Sequence, residues 1–345
     1  MAKAIDFTFT QKLMDWYLEN GRDLPWRKDR EPYHVWVSEI MLQQTRVEAV
    51  RDYYLRFMKV LPTIEDLAEA DEETLLKLWQ GLGYYNRIRN MHKAARTITE
   101  ELGGVFPDEY EEIRKLSGIG EYTAGAIASI CFDRREAAVD GNVLRVMSRL
   151  LNDDSDILGS SFKKRISVFL KELYPEKNCG DFTQSLIELG ALICVPSGEP
   201  KCELCPAVLY CRAREEGTAA SLPVRLTRKQ KKKVKMTVFI LQCEDRTAVC
   251  RRDNRGLLAG LYQLPNVEEE LSAEQAVALA ESWGVKPKDL LRKTEYRHIF
   301  THVEWDMTGY YFSVSRMPDD FLWVSEKELE KDIPVPTAFG YFLQK

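Results

Sequence analysis

Four of the eight cysteines lie within eighteen consecutive residues, in the stretch CVPSGEPKCELCPAVLYC. They are Cys194, Cys202, Cys205 and Cys211, and their spacing is C-x7-C-x2-C-x5-C. The N-terminus lacks a basic start followed by an apolar segment and a cleavage site, so we expect a reducing cytoplasm in which disulfides are rare. Four thiols this close together in a reduced chain predict a bound metal or cluster, and the backbone must fold around it.

The spacing alone allows three interpretations of this loop. A zinc ribbon usually presents two C-x2-C pairs separated by a longer spacer, and this loop has one such pair. A [4Fe–4S] cluster suits four closely spaced thiolates on a loop that winds around it, and we expect this cofactor. Zinc and unliganded cysteines are the alternatives.

The residues up to the end of the cysteine loop predict an all-α domain. Between residues 9 and 214, apolar residues recur at steps of three and four, as in Leu75, Leu78 and Leu82. Short segments with Gly or Pro separate these helical patterns. We expect nine or ten helices, no strand, and a first domain over residues 1–220.

The character of the sequence changes after Pro223. The run RLTRKQKKKVK (Arg225–Lys235) has seven basic residues in eleven, and it predicts a linker at 221–235 that either only connects two domains or also contacts DNA. Beyond it, β-branched and aromatic residues cluster in MTVFILQCEDRTAVCRR, HIFTHVEWDMTGYYFSV and FLWVSE, with one helical segment at Ala273–Trp283. These patterns predict a separate α+β domain over 236–345.

Bulk properties exclude a membrane span but do not identify a partner. No run of eighteen apolar residues exists. The formal net charge is −5, which does not by itself indicate nucleic acid.

The stretch LSGIGEYTAGA has two glycines, Gly118 and Gly120, just before a helical segment. Glycine allows a turn whose backbone approaches another chain closely, and free N–H groups at a helix start favour an anion. The pattern predicts a phosphate-binding turn, although an ordinary turn between helices looks the same. Tyr122 follows the second glycine, and a core aromatic residue is its simpler interpretation.

Two carboxyl groups are candidates for acid–base chemistry. Glu39 lies among apolar neighbours in VWVSEIMLQQT, where burial would raise its pKa and let it act as an acid near neutral pH. Asp140 lies in AVDGNVLRV, at the start of a helix. Glycosidic hydrolysis usually needs such a pair, one to protonate the leaving group and one to stabilise the sugar cation. A solvated glutamate and a helix N-cap are the alternatives.

Several segments, taken in order, resemble the adenine DNA glycosylases of the endonuclease III superfamily. The segments are RDLPWR (22–27), VSEIMLQQT (37–45), GLGYYNR (81–87), GIGEYTAGA (118–126), VDGNV (139–143), LIELGALIC (186–194) and the cysteine loop. The first cysteine gap is seven residues here and usually six in that family. The resemblance implies a helix-hairpin-helix at about 113–130, an iron–sulfur loop at 194–211, and a Nudix-like C-terminal domain without the acidic metal-binding box.

The resemblance also implies catalytic roles. Glu39 would protonate adenine N7, Asp140 would stabilise the sugar cation, and Asn142 would help to hold that region. Superfamily members that cut the DNA backbone have a lysine where this chain has Tyr122, and a phenol cannot form the Schiff base of lyase chemistry. We therefore expect a monofunctional glycosylase. A bifunctional glycosylase/lyase and a non-catalytic iron–sulfur DNA-binding protein are the alternatives.

Binding residues are implied in the same way. An adenine flipped out of the duplex would contact Arg22, Trp26, Leu42 and Gln184. The opposite base would be flanked by Gln44, Thr45, Leu82 and Tyr84. The C-terminal domain would recognise 8-oxoguanine through His298, Thr301 and His302, and Gly118 and Gly120 would bind a DNA phosphate. The implied partner is double-stranded DNA with an A:8-oxoguanine or A:G mispair, bound by a monomer in the cytoplasm at the bacterial nucleoid.

Overall fold

The computed structural model describes residues 2–226, 231–253, 256–300, 302–331 and 333–344. The chain forms two compact units, one of Met1–Ala70 with Arg89–Arg228 and one of Asp71–Ile88 with Lys229–Lys345. Among the described residues, no helix is long and apolar enough to cross a membrane.

The described residues up to Glu215 are helical and contain no strand, so the all-α prediction is confirmed. The helices are α1 (Phe7–Asn20), α2 (Pro32–Leu42), α3 (Val47–Val60), α4 (Ile64–Glu69), α5 (Glu72–Trp79), α6 (Asn86–Glu101), α7 (Tyr110–Lys115), α8 (Glu121–Phe132), α9 (Gly141–Leu151), α10 (Ser160–Leu173), α11 (Cys179–Leu192) and α12 (Arg212–Glu215). Short 3-10 segments lie at Pro25–Arg27, Cys202–Leu204 and Val208–Tyr210. The twelve helices of this described stretch exceed the nine or ten that we predicted, because α4, α7 and α12 have six residues or fewer and give little periodicity.

Helix α11 lies at the centre of the first unit, where it packs against α1, α8 and α9. Helix α9 buries Val143, Val146, Met147 and Leu150, which recur at steps of three and four and therefore share one face. Helix α2, like α9, buries eight of its eleven residues, and all eight of α2 except Ser38 and Glu39 are apolar or aromatic. A polar side chain on α2 is therefore placed inside the protein.

From residue 231 on, the described part of the second unit contains a mixed sheet of seven strands with three helices. The strands are β1 (Lys232–Cys243), β2 (Arg246–Arg251), β3 (Tyr262–Gln263), β4 (Asn266–Val267), β5 (Pro287–Ile299), β6 (Val303–Val314) and β7 (Leu322–Ser325), and the helices are α13 (Ala273–Ser282), α14 (Glu326–Lys331) and α15 (Thr337–Leu343). The strand order is β3-β2-β1-β6-β5, with β4 paired to β1 and β7 paired to β2. Strands β1 and β6 run parallel, from Lys232 opposite Val303 to Gln242 opposite Ser313. The α+β prediction is confirmed.

Two boundaries differ from those read from the sequence. Strand β1 begins at Lys232, so the last four residues of the predicted linker 221–235 are strand; ladder pairing uses backbone groups, and the lysine side chains remain outside. Segment Asp71–Ile88 belongs to the second unit, where Gln80 Nε2 donates to the carbonyl oxygen of Val335 at 3.1 Å. Linker residues 227–230 and Thr301 lie outside the described residues.

Candidate active site

Glu39 is a buried carboxyl group on α2, with 6% of its surface exposed. Burial raises the pKa of Glu39 to about 7, and the charge of Asp140 acts in the same direction. A hydrogen bond from Tyr122 opposes the rise in this pKa. The raised pKa agrees with the prediction from the apolar neighbours, and it makes Glu39 a proton donor near neutrality.

Tyr122 lies in the first turn of α8, two residues after the N-cap Gly120. Helix α8 packs against α2, and the phenol is hydrogen-bonded to Glu39. Burial, with the charges of Glu39 and Asp140, raises the pKa of Tyr122 well above its ordinary value. The phenol therefore keeps its proton and acts as the hydrogen-bond donor to the carboxyl group.

Asp140 is the N-cap of α9, which was the alternative interpretation of this residue. It also acts electrostatically on Glu39. Its Oδ1 accepts from the backbone N–H of Val143 at 2.8 Å, and its Oδ2 accepts from Asn142 Nδ2 at 2.7 Å. Burial raises the pKa of Asp140 above its ordinary value, against the opposing effect of these two hydrogen bonds. Gly190 of α11 faces Asn142 so closely that an added Cβ would lie 2.7 Å from the Asn142 Cβ. The glycine therefore lets α11 and α9 approach and fixes the position of Asn142.

Arg145 extends this network to the cysteine loop. Its Nη2 donates to Asn142 Oδ1 at 2.9 Å and to the carbonyl oxygen of Gly190 at 2.8 Å. Its Nε donates to the carbonyl oxygen of Cys194 at 2.8 Å. A continuous chain of hydrogen bonds thus runs from Asp140 through Asn142 and Arg145 to the first cysteine of the loop.

All four clustered cysteines line one cavity, together with side chains of α9 and α11. They are Cys194, Cys202, Cys205 and Cys211, and all are free thiols. Cys194 Sγ accepts a hydrogen bond from Arg149 Nη1 at 3.2 Å. In the part of the chain that the structure describes, no group of three or more His, Cys, Asp or Glu side chains could hold a metal ion.

Gly118 and Gly120 occupy the turn between α7 and α8. Gly118 has φ +79°, and a Cβ there would lie 2.6 Å from the Cβ of Asn90. Gly120 has an ordinary φ of −94° and open space around it. Only Gly118 is therefore required by backbone conformation and packing, and binding of a phosphate by this turn stays a prediction.

The residues predicted to contact adenine lie on three elements of the first unit. Trp26 is buried in the 3-10 segment Pro25–Arg27 and packs edge-on against Tyr54, with ring centroids 5.4 Å apart. Leu42 ends α2, and Gln184 lies on α11; both are half-buried. Their contact with a base stays a prediction.

Arg22 is held by Glu188, a residue that sequence reasoning did not single out. Arg22 Nε donates to Glu188 Oε1 at 2.5 Å, and Arg27 Nη2 donates to Oε2 at 2.7 Å. Glu188 interrupts the apolar run LIELGAL as Glu39 interrupts VWVSEIML. The same criterion, a carboxylate among apolar helix residues, could therefore have identified it.

Two of the four residues predicted to flank the opposite base, Gln44 and Tyr84, adopt left-handed backbone conformations. Gln44, in the loop after α2, has φ +59°, and Tyr84, in the turn after α5, has φ +49°. Left-handed conformations of non-glycine residues are strained and are often found at functional sites. Thr45 follows Gln44 and is partly exposed.

The turn after α5 is held from within the second unit. Arg87 Nη2 donates to the carbonyl oxygens of Leu82 and Gly83, at 2.8 and 3.1 Å, and Trp79 Nε1 donates to Gly83 at 3.1 Å. Leu82 is buried, whereas 46% of the Tyr84 surface is exposed. Tyr84 is therefore available to a ligand and Leu82 packs beneath the turn.

Of the residues predicted to contact 8-oxoguanine, His298 lies near the end of β5 and His302 lies in the loop that follows. His298 is half-buried, packs edge-on against Phe300 with centroids 4.5 Å apart, and has its pKa lowered by burial. His302 is exposed. A neutral His298 can accept as well as donate a hydrogen bond.

Comparisons with known proteins cover both units. Residues 37–172 match the HhH-GPD superfamily of base excision DNA repair proteins, and residues 236–345 match the NUDIX domain. The chain is 36% identical to the adenine DNA glycosylase of Rattus norvegicus, over 86% of this chain and 68% of that protein. It is 34% identical to the adenine DNA glycosylase of Buchnera aphidicola subsp. Baizongia pistaciae, over 86% of this chain and 83% of that protein. A solved thermostable thymine-DNA glycosylase is 29% identical, with a TM-score of 0.54, over 61% of this chain and 96% of its own.

Proposed function

The chain belongs to the adenine DNA glycosylase family, and from this premise we propose that it is a monofunctional enzyme that excises adenine opposite 8-oxoguanine or guanine in duplex DNA. The observation that most supports this proposal is that three side chains from separate helices, Glu39, Tyr122 and Asp140, interact with one another. A carboxyl group that titrates near pH 7 lies beside a second carboxyl group and a protonated phenol. This is the pair that N-glycosidic hydrolysis needs.

The proposed reaction begins with adenine flipped out of the duplex, because its atoms are not accessible inside the stack. Glu39 donates its proton to adenine N7, and the bond between the base and the deoxyribose breaks with its electrons leaving on adenine. Asp140, held by the Val143 N–H and by Asn142, stabilises the positive charge that develops on the sugar. Water then adds to the sugar cation and gives a proton to the Glu39 carboxylate, which leaves an abasic site and a protonated Glu39.

Tyr122 cannot support the strand cleavage that would follow base release in a lyase. A lysine amine at this position could form an imine with the opened sugar, and β-elimination would follow. The phenol cannot form an imine, and its raised pKa keeps it neutral. The product is therefore an abasic site in an intact strand.

Cys194, Cys202, Cys205 and Cys211 would hold a [4Fe–4S] cluster. Four free thiols that line one cavity match in number the four thiolate ligands of such a cluster. Such a cluster would tie the loop together, and no step on the base would use it. Arg145, which contacts the Cys194 carbonyl, would transmit the position of the loop to Asn142 and Asp140.

Two sets of residues would recognise the opposite base. Gln44, Thr45 and the exposed Tyr84 would occupy or flank the space left by the flipped adenine, since side chains inserted into a duplex offset part of the unstacking cost. His298, Thr301 and His302 would contact the oxidised guanine from the Nudix-like domain. Because its substrate would be chromosomal DNA, the protein would act in the cytoplasm at the nucleoid.

The test is adenine release from a duplex with one A:8-oxoguanine pair, with the strands analysed before and after hot alkali. We expect free adenine, and strand breaks only after alkali. A:G and A:T duplexes of the same sequence measure specificity, and iron and sulfide content measure the cluster. Glu39→Gln should abolish release and still bind the duplex.

Each part of the proposal has its own contradicting result. Breaks without alkali would mean a bifunctional lyase. Absence of adenine release from protein with a full complement of iron would support a non-catalytic DNA-binding protein. Full activity of Glu39→Gln would remove Glu39 from the role of acid.

A further inference from the structure

The turn after α5 combines three left-handed residues with a long polar side chain at its start. Gly81, Gly83 and Tyr84 have φ of +101°, +68° and +49°. The two glycines adopt such angles freely, whereas the tyrosine is strained there. Gln80 precedes them as the C-cap of α5, with an ordinary φ of −57°. Its side chain is therefore the last one before the backbone leaves regular structure.

Gln80 is half-buried, and its amide is bonded to a distant segment of the same unit. Its Nε2 donates to the carbonyl oxygen of Val335 at 3.1 Å, across 255 residues of sequence. Val335 is buried in a core that also contains side chains of β1 and β6. A backbone carbonyl group in a close-packed core moves little, so it is a firm anchor for the turn.

The same core continues to the hairpin between β5 and β6. Phe339 of α15 contacts Trp305 of β6 with ring centroids 5.9 Å apart, and Trp305 contacts Phe300 edge-on at 4.8 Å. The ring of Phe300 in turn lies 4.5 Å from that of His298. The hairpin is therefore fixed to the core that anchors the turn after α5.

The bond from Gln80 to Val335 joins the two elements of the second unit that are proposed to meet the opposite base. One is the turn with the exposed Tyr84, and the other is the hairpin with the half-buried His298. The bonds that Arg87 donates to carbonyl oxygens lie within the turn itself and do not connect it to the sheet.

We propose that Gln80 is a positioning residue for recognition of the opposite base: its bond to Val335 holds the Tyr84 turn at a fixed distance from the hairpin, so that both elements contact one 8-oxoguanine at once. The inference rests on the proposed function, because it concerns the base opposite the excised adenine. When two contacts are joined by a firm link, the second forms at a high effective concentration once the first is made. A loose link loses this advantage without removing either contact.

The link should matter for 8-oxoguanine much more than for guanine. 8-Oxoguanine carries an oxygen on C8 and a proton on N7, whereas guanine has neither, and these are the groups that the hairpin would recognise. Opposite guanine the hairpin contact is weak, so its position matters little. Loss of the link should therefore lower selectivity and leave general activity in place.

The test is Gln80→Met, which keeps the length of the side chain and removes the donor. Adenine release is measured from an A:8-oxoguanine duplex and an A:G duplex of one sequence, at protein concentrations far below saturation. Loss of a neutral hydrogen bond should lower the rate constant on A:8-oxoguanine by about threefold to tenfold and that on A:G by less than about twofold, so the ratio of the two constants falls. At saturating protein the rate on A:8-oxoguanine should stay within about twofold of wild type, because the chemical step is unaltered. A folding defect would lower both constants by one factor and leave their ratio unchanged.

Two further variants keep the test valid if Gln80→Met folds poorly. Gln80→Lys restores a donor on a longer side chain, so the ratio should return towards the wild-type value. Gln80→Ser has a side chain too short to reach the carbonyl oxygen, and it should lower the ratio as Gln80→Met does. In the background His298→Ala, Gln80→Met should have no further effect on the ratio, since the contact that the link positions is absent.

Gln11→Met is the matched control. Gln11 Nε2 on α1 donates to Asp15 Oδ1 at 2.8 Å, in an exposed hydrogen bond of the first unit. We expect unchanged rate constants on both duplexes, because the substitution removes the same donor group from a surface far from any proposed contact in the sequence.

An unchanged ratio in Gln80→Met, or an equal fall in Gln11→Met, would overturn the inference. A ratio in Gln80→Lys as low as in Gln80→Met would overturn it too, as would a full effect of Gln80→Met in the His298→Ala background. Wild-type protein without adenine release would instead overturn the proposed function.

Discussion

The phenol of Tyr122 is hydrogen-bonded to the buried carboxyl group of Glu39. The bond joins α8 to α2, and burial raises the pKa of both groups. The carboxyl group titrates near neutrality, whereas the phenol remains protonated. Tyr122 therefore adjusts the proton affinity of the proposed acid.

Glu39→Gln should make the unfolding free energy less dependent on pH. The pKa of Glu39 rises from 4.5 to about 7 on folding, so the folded state binds the proton more tightly. Its contribution to stability is fully present below pH 4.5, declines as the pH rises, and is lost above about pH 7. The shift corresponds to roughly 3 kcal/mol.

Urea unfolding of wild type and Glu39→Gln at pH 5 and pH 8 measures this effect, since other titrating groups are common to both proteins. The stability of the variant relative to wild type should increase by up to about 3 kcal/mol at the higher pH. A difference that is the same at both values would show that Glu39 has an ordinary pKa in the folded protein.

Tyr122→Phe should move the alkaline limb of adenine release to higher pH. The hydrogen bond from the phenol favours the ionised carboxylate and so lowers the pKa of Glu39. Its loss should raise that pKa above 7, with a shift of about half a unit to one unit. Tyr110→Phe, on α7, is the control and should leave the midpoint in place. A downward shift in Tyr122→Phe would mean that the phenol stabilises the protonated acid.

Periodicity and composition predicted both domain types but not every element. Strand β5 was recognised only at its end, because the stretch before His298 is largely exposed at the edge of the sheet and shows little apolar alternation. The start of β1 was assigned to a linker because its lysines have low strand propensity. Its pairing with β6 depends on backbone groups more than fifty residues away, which no local pattern contains.

The site was predictable where one side chain is informative by itself. Glu39 stands out by its apolar neighbours, and Asp140 by its position at a helix start. Glu188 stands out by the same criterion as Glu39, whereas Arg27 does not, because its partner Glu188 lies 161 residues away in the sequence. The hydrogen bonds from Arg145 to Asn142 and Cys194 could not be predicted from local sequence either, because Cys194 reaches Arg145 only through helix packing.

Arg145→Met should slow adenine release without loss of iron. The side chain connects Asn142, which holds Asp140, to the carbonyl oxygen of Cys194. Without it Asn142 is free to turn, and misplacement of Asp140 by a fraction of an ångström should lower the single-turnover rate by about tenfold to a hundredfold.

The control for Arg145→Met is Arg134→Met, which breaks an exposed ion pair with Asp108. Its rate should equal that of wild type, because exposed pairs contribute little. Iron content and single-turnover rate are measured on the same preparations. Loss of rate in strict proportion to loss of iron would show that Arg145 supports the loop and not Asp140.

Gly118→Ala should destabilise the fold, whereas Gly120→Ala should not. Gly118 has φ +79°, and an added Cβ would lie 2.6 Å from the Asn90 Cβ, so the variant suffers both backbone strain and a clash with α6. We expect a loss of about 1–3 kcal/mol in the free energy of unfolding. Gly120 has φ −94° and open space where a Cβ would stand, so alanine there should change stability by less than about 0.5 kcal/mol.

Duplex binding by the Gly120→Ala protein, measured against salt concentration, tests the phosphate contact separately from folding. A methyl group between the α8 N-terminus and a phosphate should weaken binding. Unchanged affinity would place the DNA backbone elsewhere.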